Sequence, residues 1–157
     1  MEYDASAHQS KLDQTWRATA FITAFFAVTP LLLMLVGKLF IKETFDGDLA
    51  TYQKIAKLLY GGTIALGLLV VALRRFGISL VSRRQAGATA ASVLRKLQGL
   101  TLVNAAIGEL IALLGFVAFL MTRDFQFCWR LGVVSLAIIL YSFPRRAEWA
   151  RALAAAE

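Results

Sequence analysis

The chain has 157 residues, of which 59% are hydrophobic and 17% are charged, and its mean hydropathy of +0.65 lies well above that of a soluble globular domain. The net charge is +7, but the basic residues lie at the ends of apolar runs, which is typical of membrane topology signals and argues against a nucleic-acid-binding surface. One cysteine and one histidine exclude an internal disulfide and disfavour zinc or haem, so no metal and no cofactor are expected.

Four apolar runs organise the sequence, and each is long enough to cross a bilayer. They predict spanning helices at about 16–39, 55–74, 100–121 and 127–143. The polar lead-in carries acidic residues where a signal peptide would be basic, so the first run is expected to stay in the protein. The predicted fold class is all-α: a single transmembrane domain over 1–157, built as an integral membrane four-helix bundle with a short C-terminal amphipathic helix.

The first predicted helix contains a proline, and the second is followed by a long basic segment. Pro30 is expected to kink the first helix, because its ring removes a backbone N–H and clashes with the preceding turn. The segment 77–99 contains basic but no acidic residues. We therefore expect the second helix to extend out of the membrane, or an interfacial helix to follow it, with Arg83 and Arg84 on anionic headgroups.

The last two spans are joined by Arg123 and Asp124, a turn so short that these helices must be antiparallel neighbours. Pro144 then ends the fourth span. Arg145, Arg146 and Trp149 fit a short amphipathic helix that lies on lipid headgroups.

The distribution of Lys and Arg predicts the orientation. The side that holds the termini and the middle loop carries 11 of these residues, and the other side carries 6. Both termini are therefore expected in the cytoplasm, with the protein in a bacterial inner membrane.

The third helix carries a stripe of small residues at helical spacing. Such a stripe lets another helix backbone approach closely in a membrane. The predicted helix-packing positions are Thr101, Ala105, Gly108, Ala112 and Gly115.

Glu109 lies at one edge of this stripe, near the predicted midplane, and Asn104 lies at the other edge, about 140° away around the helix. A carboxylate at this depth is costly, and it is usually paired, protonated or functional. Hydroxyls at similar depth complete a predicted ion-binding layer of Glu109, Asn104, Thr63, Thr29 and Ser135. Arg130 is a possible charge partner, about 9 Å nearer the outer surface. Glu109 is interpreted either as an ion-coupling group or as a residue that holds helices together.

Two resemblances add to this interpretation. The run around Glu109 resembles the carboxylate-bearing helix of ATP synthase c subunits and related proteolipids, with matches at Ala106, Glu109, Ala112, Leu113 and Gly115. This resemblance implies that Glu109 is the ion-carrying carboxylate. The sequence departs from the family in its glycine-poor second helix, its long middle loop and its two extra helices. The segment from Asp124 to Trp149, with its ending from Tyr141 onward, resembles small uncharacterised bacterial four-helix membrane proteins, which implies a class but no activity.

Three functions are compatible with these patterns. The leading one is a non-catalytic inner-membrane protein, a structural or accessory subunit of a larger complex, because no nucleophile set or phosphate-binding loop is recognisable. The alternatives are a proteolipid-like ion- or proton-coupled subunit that uses Glu109, and a small oligomeric transporter or glutathione-using membrane enzyme. The expected partners are the lipid bilayer and either further copies of the chain or a larger membrane protein complex.

Overall fold

The computed structural model describes residues 2–40, 49–83 and 89–154, with side chains within 9–39, 52–79 and 89–154. These residues form helices and no strand, which confirms the predicted all-α fold with its short C-terminal helix. The helices are α1 (Glu2–Phe40), α2 (Leu49–Arg83), α3 (Ala90–Thr122), α4 (Phe125–Ser142) and α5 (Arg146–Ala154).

Four of these helices are long and apolar enough to cross a membrane, which supports a multi-pass membrane protein. The candidate spans are Gln9–Leu39, Tyr52–Ser79, Ala90–Thr122 and Phe125–Ser142. The first three exceed the predicted bounds, because α1, α2 and α3 continue as uninterrupted helix beyond their apolar runs; α1 runs through the buried Pro30. At 18 residues, α4 is about 27 Å long, close to the thickness of a hydrocarbon core.

The middle connection is largely helical. α2 continues to Arg83 and α3 begins at Ala90, so the second helix extends past its apolar run, as the first of the two expected alternatives requires. No separate interfacial helix lies between them in the described residues.

α3 is the central helix of the bundle. It contacts α1, α2, α4 and α5, whereas α1 and α2 do not touch each other in the described residues. We call the end where α1 begins and α5 lies the terminal end, and the end where α3 meets α4 the hairpin end.

The α3–α4 turn explains the antiparallel packing of these helices. Arg123 adopts a left-handed conformation with φ 57°, and its N–H bonds the Phe119 carbonyl at 2.7 Å, which closes α3. The Asp124 carboxylate accepts the Gln126 N–H at 2.9 Å and so caps α4. Two residues therefore suffice to reverse the chain.

The terminal end holds a hydrophobic cluster, and α5 supplies one side of it. The buried members are Leu12, Val93, Leu94, Leu97, Trp149, Ala152 and Leu153. The Trp16 Nε1 donates to the Pro144 carbonyl at 3.0 Å, which joins α1 to the start of α5. The apolar face of α5 thus packs on α1 and α3, and Trp149 lies inside this cluster, whereas the sequence pattern placed it among lipid headgroups. An amphipathic helix has the same pattern whether protein or lipid covers it.

Candidate functional site

Glu109 lies on α3 beside the buried Ala105 and Ala112. Its side chain is half-buried, and among the described residues it forms neither a hydrogen bond nor a salt bridge. It is therefore an unpaired acidic group within a candidate span.

The other members of the predicted ion-binding layer are distributed over separate contacts. Ser135 is fully buried, and its backbone carbonyl lies beside Gly108 at the α3–α4 contact. Thr63 lines a groove between α2 and α4, and Thr29 is half-buried on α1. Within the described side chains, no hydrogen bond links Glu109 to any of these hydroxyls. The layer is thus present as separate polar groups, without a shared network.

Arg130, the possible partner of Glu109, has a different contact. Its Nη1 donates to the Tyr60 hydroxyl at 3.2 Å, which joins α4 to α2 near the hairpin end. Tyr60 and Tyr52 also stack against Phe127, with ring centroids 6.0 and 5.3 Å apart. Arg130 therefore belongs to an aromatic contact between α2 and α4.

The small-residue stripe of α3 is buried at all five predicted positions. A Cβ on Gly115 would lie 2.6 Å from the Leu131 Cβ and 3.0 Å from the Phe127 carbonyl oxygen. A Cβ on Gly108 would lie 2.7 Å from Ile139. These distances are shorter than van der Waals contact, so the close approach of α4 requires glycine at both positions. Thr101 satisfies its own hydroxyl by donating to the Leu97 carbonyl at 2.9 Å.

The residues expected at lipid headgroups have mixed surroundings. Arg145 is exposed and lies 3.5 Å from Glu148, whereas Arg146 donates to the Asp13 carboxylate at 2.8 Å. This bond raises the pKa of Arg146 above its ordinary value and ties α5 to α1. Arg83 and Arg84 lie outside the described side chains.

A buried arginine at the terminal end is a feature that the sequence interpretation missed. Arg74 Nη2 donates to Glu148 Oε2 at 3.1 Å, and the guanidinium carbon lies 4.7 Å from the centre of the Tyr141 ring. Arg74 is only 9% exposed, and its Nη1 has no hydrogen-bond partner among the residues that the structure describes. This contact joins α2, α4 and α5 through one side chain.

Two further buried polar atoms lie beside Arg74. Asn104 Oδ1 and Ser142 Oγ also lack partners within the described ranges, and with Arg74 they line a void of about 20 Å³. A void of this volume can hold one water molecule, which bonds two to four polar groups. Asn104, predicted as an ion ligand with Glu109, thus faces the Arg74 region instead.

One sequence signal could have directed attention here. Glu148 is the sole acidic residue between Asp124 and the last residue of the chain, in a segment rich in arginine. A lone carboxylate among several guanidinium groups predicts an ion pair. Its partner is 74 residues away, so only the tertiary structure identifies it.

The outer face of α2 presents an open surface of small residues. Gly61 and Ala65, one turn apart, are both exposed, and nothing lies within 4 Å of a Cβ placed on Gly61. The neighbouring Leu58 and Leu68 are 77% and 66% exposed. This face presents a shallow backbone surface flanked by large apolar side chains.

Comparison of the chain with protein-family models, curated proteins and solved structures finds no match. Among the described side chains, no cluster of His, Cys, Asp and Glu is suited to a metal ion. Any function proposed for the chain therefore depends on the contacts described above.

Proposed function

We propose that the protein is a non-catalytic four-helix subunit of a bacterial inner membrane, which binds a further membrane helix through the outer face of α2. The observation that carries this proposal is the exposed pair Gly61 and Ala65, spaced four residues apart with large apolar neighbours. The additional helix comes from a second copy or from a larger membrane complex.

The physical reason lies in how helices associate in lipid. Lipid tails are as apolar as leucine, so burial of apolar surface gives little driving force, and close packing at small residues replaces it. The chain uses this device internally, where Gly108 and Gly115 contact α4. The same device on α2 has no partner within the described chain.

The proposed orientation has both termini in the cytoplasm. Supporting it, the terminal end carries Arg74, Arg75, Arg95, Lys96, Arg145, Arg146 and Arg151 among its described side chains. Cytoplasmic loops carry such an excess of Lys and Arg.

The test is the double variant Gly61→Ile with Ala65→Ile, purified in mild detergent and weighed by native mass spectrometry. We expect the assembly to dissociate, with about tenfold weaker association, because branched side chains keep the second helix at a distance. The matched control is Ala106→Ile, on an exposed position of α3. An unchanged assembly in the double variant, or an equal loss in the control, would refute the proposed interface.

A second candidate function is ion or proton coupling through Glu109. The observation that favours it is the half-buried, unpaired state of Glu109 within a candidate span. A carbodiimide should label this carboxyl in native membranes, and Glu109→Gln should abolish the labelling. Absence of labelling at every pH would remove this candidate and leave the first one intact.

A further inference from the structure

An open basic pocket lies at the terminal end, between the last turns of α2, the end of α4 and α5. Its volume is about 420 Å³, and four arginines line it: Arg74, Arg75, Arg145 and Arg151. Among the described side chains that line it, Glu148 is the only acidic one.

The charges in this pocket are unbalanced. The Glu148 carboxylate is already shared, since its Oε2 accepts from Arg74 at 3.1 Å and its Oε1 lies 3.5 Å from Arg145. Arg151 Nε donates to the Ala147 carbonyl and to no other group in the described part of the chain, and Arg75 is exposed. Arg74 is nine-tenths buried, and its Nη1, which has no hydrogen-bond partner among the described residues, is itself buried. The pocket thus offers several free guanidinium donors, which favour a phosphate or carboxylate group.

An apolar groove of about 590 Å³ runs between α2 and α4 and meets this pocket at Tyr141, which lines both. On α4 the groove extends from Arg130 to Tyr141, about 16 Å at the helical rise per residue. That length matches one leaflet, about half of a 30 Å hydrocarbon core. Its walls are mainly aliphatic, with Val71, Val134 and Ile138 among them.

We propose that the pocket and the groove together bind one anionic phospholipid from the leaflet at the terminal end. The phosphate lies among Arg74, Arg75 and Arg151, and an acyl chain lies along the groove between α2 and α4. The continuity of a cationic pocket with an apolar groove one leaflet long favours a lipid over a soluble phosphate, which has no apolar part to fill the groove. The groove differs from the outer face of α2 in its small residues, because Gly61 and Ala65 do not line it, although Leu68 borders both surfaces.

The test uses the purified full-length protein in detergent, titrated with phosphatidylglycerol, phosphatidylcholine or inorganic phosphate and followed by native mass spectrometry. We expect one phosphatidylglycerol to bind about tenfold more tightly than phosphatidylcholine, because charge-assisted hydrogen bonds to the anion are the stronger ones. Inorganic phosphate should neither bind measurably nor displace the lipid. Equal binding of the two lipids, or displacement by phosphate, would overturn the proposal.

Two pairs of variants separate the pocket from the groove. Arg75→Gln with Arg151→Gln should weaken phosphatidylglycerol binding about tenfold, whereas Arg95→Gln with Lys96→Gln removes two charges from exposed positions outside the pocket and should change little. Ala137→Phe should fill the groove and weaken both lipids, and Ala106→Phe on the exposed face of α3 should not. Full binding by the arginine double variant would overturn the proposal. So would a lipid-free dimer that Ala137→Phe abolishes, because it would place a second copy in the groove.

Discussion

α3 and α2 are similarly apolar, with mean hydropathies of 2.1 and 1.9 over their most apolar windows, but they are packed very differently. Of those windows, 44% of the α3 residues are buried inside the protein, against 11% for α2. α3 has α4 and α1 along its length and α5 at its terminal end, whereas α2 packs mainly on α3 and contacts α4 and α5 only slightly. Hydropathy alone therefore does not determine how closely a helix packs; on α3 the closest contacts with α4 lie at Gly108 and Gly115.

The largest expected loss of stability comes from disrupting the packing of α5 on α3. Trp149→Ala should lower the free energy of unfolding by about 3–5 kcal/mol, because the ring is 3% exposed and its loss leaves a cavity against Val93 and Leu97. Chemical denaturation in detergent measures this loss. Trp129, which is 54% exposed, provides the control, and Trp129→Ala should cost less than about 1 kcal/mol. Equal losses in the two variants would mean that α5 does not stabilise α3.

A smaller loss of stability distinguishes a glycine packed against α4 from an exposed glycine on α2. Gly115→Leu should cost about 3 kcal/mol, since its Cβ would lie 3.0 Å from the Phe127 carbonyl oxygen, which cannot rotate away. Gly62→Leu on α2 should change the stability of the monomer by less than about 0.5 kcal/mol, because nothing lies within 4 Å of its Cβ. Thermal unfolding of the two variants in the same detergent makes the measurement. A destabilised Gly62→Leu monomer would show that α2 is packed more closely than described above.

The smallest expected effect concerns one of the contacts that hold α2. Arg74→Gln and Glu148→Gln should each cost about 1–2 kcal/mol, because each leaves a largely buried polar group without its partner. A double-mutant cycle should give a coupling of about 1 kcal/mol. The more exposed pair of Arg146 and Asp13 should give a smaller coupling, since water screens it. A zero coupling for Arg74 and Glu148 would mean that α2 is held at the terminal end by apolar contacts alone.

Much of the fold could be predicted from the sequence because its determinants are local. Each span is a continuous apolar run, and the turn at Arg123 and Asp124 is too short for any arrangement except antiparallel neighbours. The stripe through Gly108 and Gly115 follows from helical spacing alone, and both positions are buried. The local sequence does not indicate which surface, protein or lipid, covers an apolar helix face. The face of α5 that carries Trp149 would look the same against lipid or against α3.

The candidate site could be predicted less well, because its contacts join distant parts of the chain. Arg74 and Glu148 are 74 residues apart, and Arg130 and Tyr60 are 70 apart. Counting the helical rise gives the depth of a residue but not which neighbouring helix it faces. Arg130 illustrates this limit, since its depth made it a possible partner for Glu109 while its side chain bonds Tyr60. Whether Glu109 carries an ion stays a prediction.

Because Cys128 is buried between α1 and α4, its reactivity reports local opening of this contact. Its thiol donates to the Leu33 carbonyl of α1 at 3.5 Å, and the side chain is 1% exposed. A thiol reagent can reach the sulfur only when α1 and α4 separate, so the rate of modification measures how often that local opening occurs. Because the chain has a single cysteine, the rate can be recorded on the unmodified protein, without engineered labels.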